Sequence, residues 1–467
     1  MVSRKTRILF GAGSVADGVK NTTFNMFLLF FYTQVAGLSG SLAGTAILIA
    51  LIIDAITDPL IGSISDNIRT RWGRRHPFMY AAALPMAACF VMLFHPPDDL
   101  SQAGLFAWML TFAVGVRFAM TFYLVPSNSL VPEMTTIYDE RTSILSFRTL
   151  FGWLGGITMA QLGFLYFFAE TDLGDGRLDP SAYGAYALTG AAVIITAILT
   201  CAIGTHHLIP RLHAPEPTGF TLRQFFRDLK GAFTSRNYVI LVLTILTITL
   251  ATGFTDVMNL YVNTYFWELS AAEIALTVYG ALVGTFIAFA TTPTFSTRTD
   301  KQTAAMACLI CVIVVGPAPI ILRLLGVMPE NGHPALLPIL VVYTTFIVFI
   351  AVTLMILAGS MIADTIDENE LRSGKRQEGL FNAAFGLTAK ATSGLGGFVA
   401  GIVLDVVDFP TAAAPGEVPQ ETITALGLGV GPGILLFWVT AALILSRYAL
   451  RRSDHEQIMA TLRERRA

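Results

Sequence analysis

Two aspartates lie four residues apart in the run LIIDAITDPLIGSISDNIRTRWGRRHPF: Asp54 and Asp58, with Thr57 between them. On a helix that spacing puts both carboxylates on one face. Two acids so close repel when both are ionised, and an apolar setting makes this worse, unless a cation or a buried base sits between them. A site for a monovalent metal cation, Na+, on Asp54 and Asp58 is the direct reading; a structural network in which neighbouring bases hold both acids is the other. Pro59 removes a backbone donor from the same run and can free a carbonyl one turn earlier, near Ala55. Further on, Asp66 stands among Arg69, Arg71, Arg74 and Arg75. Carboxylate–guanidinium contacts here, joined by Glu133, Glu140 and Arg141, could latch one conformation. Arginines so placed also fix orientation in a bilayer, and both can hold at once.

Isolated ionisable groups recur in other apolar runs: Asp17 and Lys20 three residues apart, then Arg117, Arg148, Asp256 and Lys390. Facing lipid they would be costly, so each is expected to turn inward and pair. Arg148, near a helix start, could instead reach the interface with its long side chain. Asn21 with Asn25, and Asn259 with Asn263, recur at four-residue spacing and form polar stripes. The stripes suggest a hydrated cavity, although Asn259 and Asn263 could equally make a hydrogen bond between helices.

The elements that must carry these groups are membrane helices. Among 467 residues, 54% are apolar, 13% are charged and 33 are Phe; mean hydropathy is +0.64. A soluble protein carries about a quarter charged residues, so a large soluble enzyme is excluded. Apolar runs place helices near 12–36, 42–66, 78–96, 103–130, 147–169 and 184–205, then near 237–262, 272–295, 303–324, 336–363, 380–405 and 426–449. That makes twelve, in an all-α polytopic membrane protein. The basic start, MVSRKTR, leads into a retained first helix and not a cleaved leader. Cys89, Cys201, Cys308 and Cys311 lie in apolar runs and read as small buried hydrophobes. The His residues fall at helix ends or loops, with no nucleophile, base or metal constellation at one depth, which argues against a membrane enzyme.

Charge gives the orientation. Arg177 and Arg323 lie in loops on one side, Lys20, Arg117, Arg148 and Lys390 lie within spans, and the rest of the 30 Lys and Arg residues lie on the side of the termini. Both termini are therefore expected in the cytoplasm. The chain divides into a six-helix bundle over 1–205, a cytoplasmic linker over 206–236, a second bundle over 237–449 and a tail over 450–467. Within the linker, FTLRQFFRDLKGAF could form an amphipathic surface helix. Pro59 and Asp66 recur as Pro293 and Asp300 at an interval of 234 residues, in keeping with two pseudo-symmetric halves.

The segments GAGSVADG, LIIDAITDPLIGSISDNIRTRWGRRHPF, VPSNSLVPEMT, YDERTSILSFR and MIADTIDENE resemble the glycoside–pentoside–hexuronide:cation symporters, the branch of the major facilitator superfamily that contains melibiose permease. The resemblance implies the major facilitator fold. It also implies a cation site of Asp54, Asp58, Thr57 and Thr121, solute hydroxyls held by Asp17 and Arg148, and Lys390 linking the cation and solute sites. Two positions depart from the pattern: Leu124 stands where an acid is expected and Asn128 where an aromatic platform is expected. Lys20 and Arg117 add positive charge, which favours carboxylates, sulfates or phosphates over neutral sugars.

The expected function is cation-coupled symport, with Na+ or H+, of a sugar, glycoside or hexuronide-like solute by alternating access, with no cofactor. The substrate cavity would be lined by Asp17, Arg148, Lys390, Lys20, Asn21, Asn128, Asp256 and Asn259, and gating would fall to Asp66, Arg74, Arg75, Glu133 and Arg141. A lysophospholipid or other organic anion is the alternative solute; a membrane enzyme, receptor or structural protein are the other classes. The expected setting is a bacterial inner membrane, multi-pass, as a functional monomer whose partners are the solute, the cation and the bilayer, with no nucleic acid.

Overall fold

The computed structural model describes residues 2–135, 137–171, 174–212, 235–373 and 394–466. Lys390, Lys375, Arg376 and the proposed amphipathic stretch of the linker, apart from its flanks, lie outside the described residues.

The chain is all-helical in its spans, as the hydropathy runs require. Helix α1 opens with Arg4–Ala12 and Val15–Thr22 and continues through two wide π turns, Thr23–Leu28 and Phe31–Val35. It starts well before residue 12 because Ser3 caps it, accepting from the Thr6 amide at 3.1 Å. The rest of the first set is α2 (Gly40–Asn67), α3 (His76–Leu93), α4 (Gln102–Met134), α5 (Tyr138–Leu162, widening into a π turn over Gly163–Phe167) and α6 (Pro180–His206). Capping again sets the ends: Ser101 begins α4, and Asp179 accepts from the Ser181 amide at 2.9 Å, just before Pro180, at the start of α6.

The second set repeats the pattern. It comprises α7 (Arg236–Tyr261, then a π turn over Val262–Phe266), α8 (Ala271–Arg298), α9 (Lys301–Leu324), α10 (Leu336–Ser373), α11 (Gly394–Val406) and α12 (Gln420–Leu445), followed by a tail helix α13 (Arg452–Arg466). A reciprocal Ser270–Glu273 capping box opens α8. Among the described residues ten helices are long and apolar enough to cross a membrane. The polar α1 and the shorter apolar α11 bring the bundle to twelve, the number expected from hydropathy.

Packing separates the sets. The dominant partners are α3 with α4 and α6, α2 with α4, and α1 with α5 in the first set; they are α8 with α10, α7 with α12, and α9 with α10 in the second. The sets meet through α1 and α7, α5 and α8, and α2 and α11. Helix α2 approaches α11 backbone to backbone: a Cβ on Gly401 would lie 2.1 Å from the Gly40 carbonyl oxygen, and one on Gly40 would lie 2.5 Å from that of Gly401.

Candidate functional site

Asp54 lies about 20 Å along α2 from its start at Gly40, taking 1.5 Å per residue, and is buried. Asp58 follows one turn later, half-buried. Both reach the same hydroxyl: Thr121 Oγ1 of α4 is 2.9 Å from Asp54 Oδ1 and 2.9 Å from Asp58 Oδ1, and 3.2 Å from the Arg117 carbonyl oxygen. Arg117, one turn before Thr121 on α4, places Nη1 3.7 Å from Asp54 Oδ2. Its guanidinium carbon lies 5.1 Å from the centre of the Phe24 ring of α1, a cation–π contact made in a desolvated setting. Helices α1, α2 and α4 thus converge on a carboxylate pair, one hydroxyl and one fixed positive charge. The buried base allowed for in the sequence is present, and it is Arg117. The Thr57 hydroxyl donates to the Asp54 carbonyl oxygen at 3.1 Å, so its proton goes to its own helix.

The expected solute residues divide. Asp17 and Lys20 pair with each other at 3.0 Å, with Lys20 buried. Arg148 lies well inside α5, which opens at Tyr138, and packs inward. Its Nε donates to Ser14 Oγ at 3.3 Å and the guanidinium carbon lies 5.2 Å from the Phe10 ring centre. Arg148 thus takes the inward orientation and not the interfacial alternative; what differs is the helix start, at Tyr138 and not near 147. Asn21, Asn128, Asp256 and Asn259 are exposed. Asn263 donates to Asn259 at 2.7 Å along α7 itself, so these two bond within one helix. Leu124, where an acid was expected, packs against the apolar core.

The charge cluster at the basic end also divides. Arg74 and Arg75 both bond Glu133 (2.9 and 3.1 Å), and Arg75 also pairs with Asp66 and bonds Ser65 at 2.7 Å. Arg141 instead donates to the Thr135 carbonyl oxygen at 2.9 Å, and Glu140 accepts from Thr135 Oγ1 at 2.8 Å. The cluster ties α2, α3 and α4 within one set. The second set has a counterpart: Lys301 pairs with Asp364 at 2.7 Å, and His455 of the tail helix lies 3.1 Å from Asp367. Glu133 and Asp367 are related by the same interval as Asp66 and Asp300. Burial, with help from nearby Asp364 and Glu368, raises the Tyr448 phenol above its ordinary range.

Hydrogen bonds between described residues of the two sets all lie at the opposite end. Thr33 pairs with Tyr261, Tyr265 donates to Gln34 at 3.1 Å, and Gln161 donates to the Ala275 carbonyl at 3.1 Å. The Gly40 and Ser41 amides both donate to the Asp405 carboxylate at 2.8 Å. Arg177 donates to Thr264 Oγ1 at 2.9 Å and to the Leu269 carbonyl at 2.8 Å. The molecule is closed at that end. Sequence reasoning passed over Gln34, Arg177 and Asp405, and no local signal marked them: Ser39 stands where a capping side chain is expected before Gly40, but it does not cap, and Asp405 of the other set takes that role.

A model of the family described as MFS/sugar transport protein matches residues 9–452. The chain belongs to that family. An uncharacterized symporter of Synechocystis sp. is 28% identical over 98% of this chain and 96% of its own length, and the isoprimeverose transporter of Lactiplantibacillus pentosus is 24% identical over 91% and 87%. The fold is shared with the solved nucleoside transporter NupG (TM-score 0.59, 14% identity, 95% of this chain and 99% of that one). It is shared also with the inward open xylose transporter XylE from E. coli (TM-score 0.60, 14% identity, 97% and 98%). These findings correct the motif-based assignment to the glycoside–pentoside–hexuronide:cation symporters: the family matched is the MFS/sugar transport proteins, and solved structures sharing the fold include nucleoside and xylose transporters. The physical reason lies in the motifs. Most of the residues that carried the resemblance build α2, its turn into α3 and the Glu133 cluster, which belong to the scaffold and not to one solute class. This member of the MFS/sugar transport family is a multi-pass membrane transporter of a small solute and not an enzyme.

Proposed function

We propose that the chain imports a sugar or glycoside-type solute together with a monovalent cation, Na+ or H+, bound at Asp54, Asp58 and Thr121. The observation that carries this reading is the convergence of two carboxylates on one hydroxyl, deep in the bundle and away from the closed end. Two acids this close repel when both are ionised away from water, so cation and solute binding can be coupled through the shared electrostatic cost. Asp17, Arg148 and Lys390 would carry the solute side, with Lys390 linking it to the cation. The basic end and both termini face the cytoplasm of a bacterial cell, a single chain suffices, and inward cation movement contributes roughly 2.3 kcal/mol per charge per 100 mV.

One observation favours an organic anion as the solute. Arg148 keeps Nη1 buried with no hydrogen-bond partner, a donor a carboxylate or phosphate could satisfy. Neutral glycosides, hexuronates, other organic anions and lysophospholipids, each screened for uptake into proteoliposomes with and without sodium, separate the readings. With whichever solute accumulates, Asp58→Asn is expected to abolish cation-driven accumulation and to retain counterflow. Undiminished accumulation in that variant, under both sodium and proton gradients, would remove the pair from the mechanism.

A further inference from the structure

We infer that the tail helix α13 is a releasable brace on the second set, whose first turn does for Asp300 and Asp367 what Arg75 does for Asp66 and Glu133. The two pairs of acids occupy equivalent places, 234 residues apart. In the first set one guanidinium joins both acids: Arg75 pairs with Asp66 and, at 3.1 Å, with Glu133. It reaches them from the loop of residues 68–75 between α2 and α3. The second set has no such loop, because only Thr299 and Asp300 separate α8 from α9. Donors come from the tail instead. The Arg452 amide donates to Asp300 Oδ1 at 2.9 Å, and His455, one turn on, lies with Nε2 3.1 Å from Asp367 Oδ2. An Nε2–H donates in the neutral ring and in the imidazolium alike, so this contact asks for no particular charge. Asp367 has further contacts besides, to which this one adds.

The same stretch reaches other helices. The Ala449 amide donates to Asn237 Oδ1 at the start of α7 at 3.2 Å, and Asn237 in turn donates to Glu368 of α10 at 3.0 Å. Gln302 of α9 donates to the Tyr448 carbonyl oxygen at 2.8 Å. Residues 448–455 thus tie α7, the α8–α9 turn and α10 together, where Lys301 and Asp364 by themselves join α9 to α10. A set that rocks as one body needs its helix ends held in this way. Depth is what makes this brace releasable. The Arg75 side chain is 5% exposed and that of His455 25%, and a cavity of about 210 Å³ remains by the turn, between Lys301, Met361, Tyr448 and His455. Farther along α13, Leu462 is buried and adds an apolar hold. Exposed polar contacts are worth far less than buried ones, so the tail can leave while the bundle stays folded.

The test uses the purified full chain and needs no solute. Trypsin cleavage after Arg451 and Arg452 is followed by the mass of the released tail; both side chains are exposed, but the hydrogen-bonded backbone there must open before it is cut. In a background lacking the four cysteines, spin labels at the exposed positions Arg236 of α7 and Thr303 of α9 report the distance the tail spans. Asp300→Ala combined with His455→Leu is expected to speed cleavage about tenfold and to lengthen and broaden the label distances. The Asp300 side chain does not cap α9, so its loss falls on the tail. His455→Gln, which keeps a donor at that place, should match wild type in both readings. Unchanged cleavage in the double variant overturns the inference. Faster cleavage with unchanged label distances does so too, since the tail would then be seated without bracing anything. Should the double variant not be monodisperse, His455→Leu alone decides: cleavage about threefold faster than wild type, with longer label distances, supports the brace, and wild-type behaviour overturns it.

Discussion

At the scale of single residues, what decides a charge's worth in this molecule is how deeply it is held. Glu133 is 7% exposed and accepts from both Arg74 and Arg75, whereas Asp66 is 55% exposed although it pairs with the same Arg75. Breaking a buried pair by deleting one partner strands the other charge, at a cost of about 3–5 kcal/mol; losing a solvent-exposed partner costs about 0–1 kcal/mol. Glu133→Gln is therefore expected to lower the thermal midpoint in detergent by several degrees and Asp66→Asn to leave it almost unchanged. Equal losses in the two variants would show that the cluster acts as one unit. Thr121 offers a second contrast. Thr121→Ser keeps the bridging hydroxyl, while Thr121→Val keeps the shape and leaves the two carboxylates with no shared donor. Cation-driven accumulation should survive the first change and fall at least tenfold in the second, measured in proteoliposomes at equal protein density.

At the scale of elements, glycine sets how near two helices come. Gly40 and Gly401 let α2 and α11 touch through backbone, and a Cβ on Gly401 would lie 2.1 Å from a carbonyl oxygen, which no side-chain rotation relieves. Gly401→Leu is expected to prop this end apart, raising the labelling rate of a cysteine placed at Ser41 in a background lacking Cys89, Cys201, Cys308 and Cys311. A labelling rate equal to that of the parent would mean the contact does not seal the end. Such contacts also explain what the amino-acid pattern could and could not reveal. The spans were legible because a bilayer demands long apolar runs, and Asp54 and Asp58 were legible because helical periodicity puts i and i+4 on one face. The start of α1 was not, since Arg4 to Ala12 is polar and begins at a cap. The same limitation set the start of α5 near residue 147, whereas the helix starts at Tyr138, well before its apolar run. Partners across helices were hidden too: nothing local distinguishes Arg141, which turns to Thr135, from Arg74 and Arg75, which turn to Glu133. The motif runs spoke for the scaffold they build more than for a solute, which is why the family drawn from them needed correction.

At the scale of the whole molecule, the hydrogen bonds that join the two sets among the described residues gather at one end. The first helix of each set finishes in a π turn, Phe31–Val35 in α1 and Val262–Phe266 in α7, and such turns are found at functional places in helices. They bring Thr33, Gln34, Thr264 and Tyr265 to the seam, where Arg177 and Asp405 complete it. Asp405 receives the first amides of α2 from the other set, so a negative charge meets the positive end of a helix dipole. At the basic end, by contrast, the ion pairs of Arg74, Arg75 and Lys301 stay within their own sets. Among the described residues, rocking the sets about the central acids must therefore break the Asp405 and Arg177 contacts and need break none of these pairs of Arg74, Arg75 and Lys301. Asp405→Asn retains an oxygen acceptor and loses the charge, while Arg177→Gln also strands Asp175, its partner at 2.6 Å. Both variants should shift the population toward opening at the sealed end, Arg177→Gln the more, read as longer distances between spin labels placed on α1 and α7 near the seam. Glu133→Gln should leave those distances unchanged while lowering stability. If instead it moved them as far as Arg177→Gln does, the basic cluster would have to be bonded across the sets in another state, and the seam would not be the main barrier to opening.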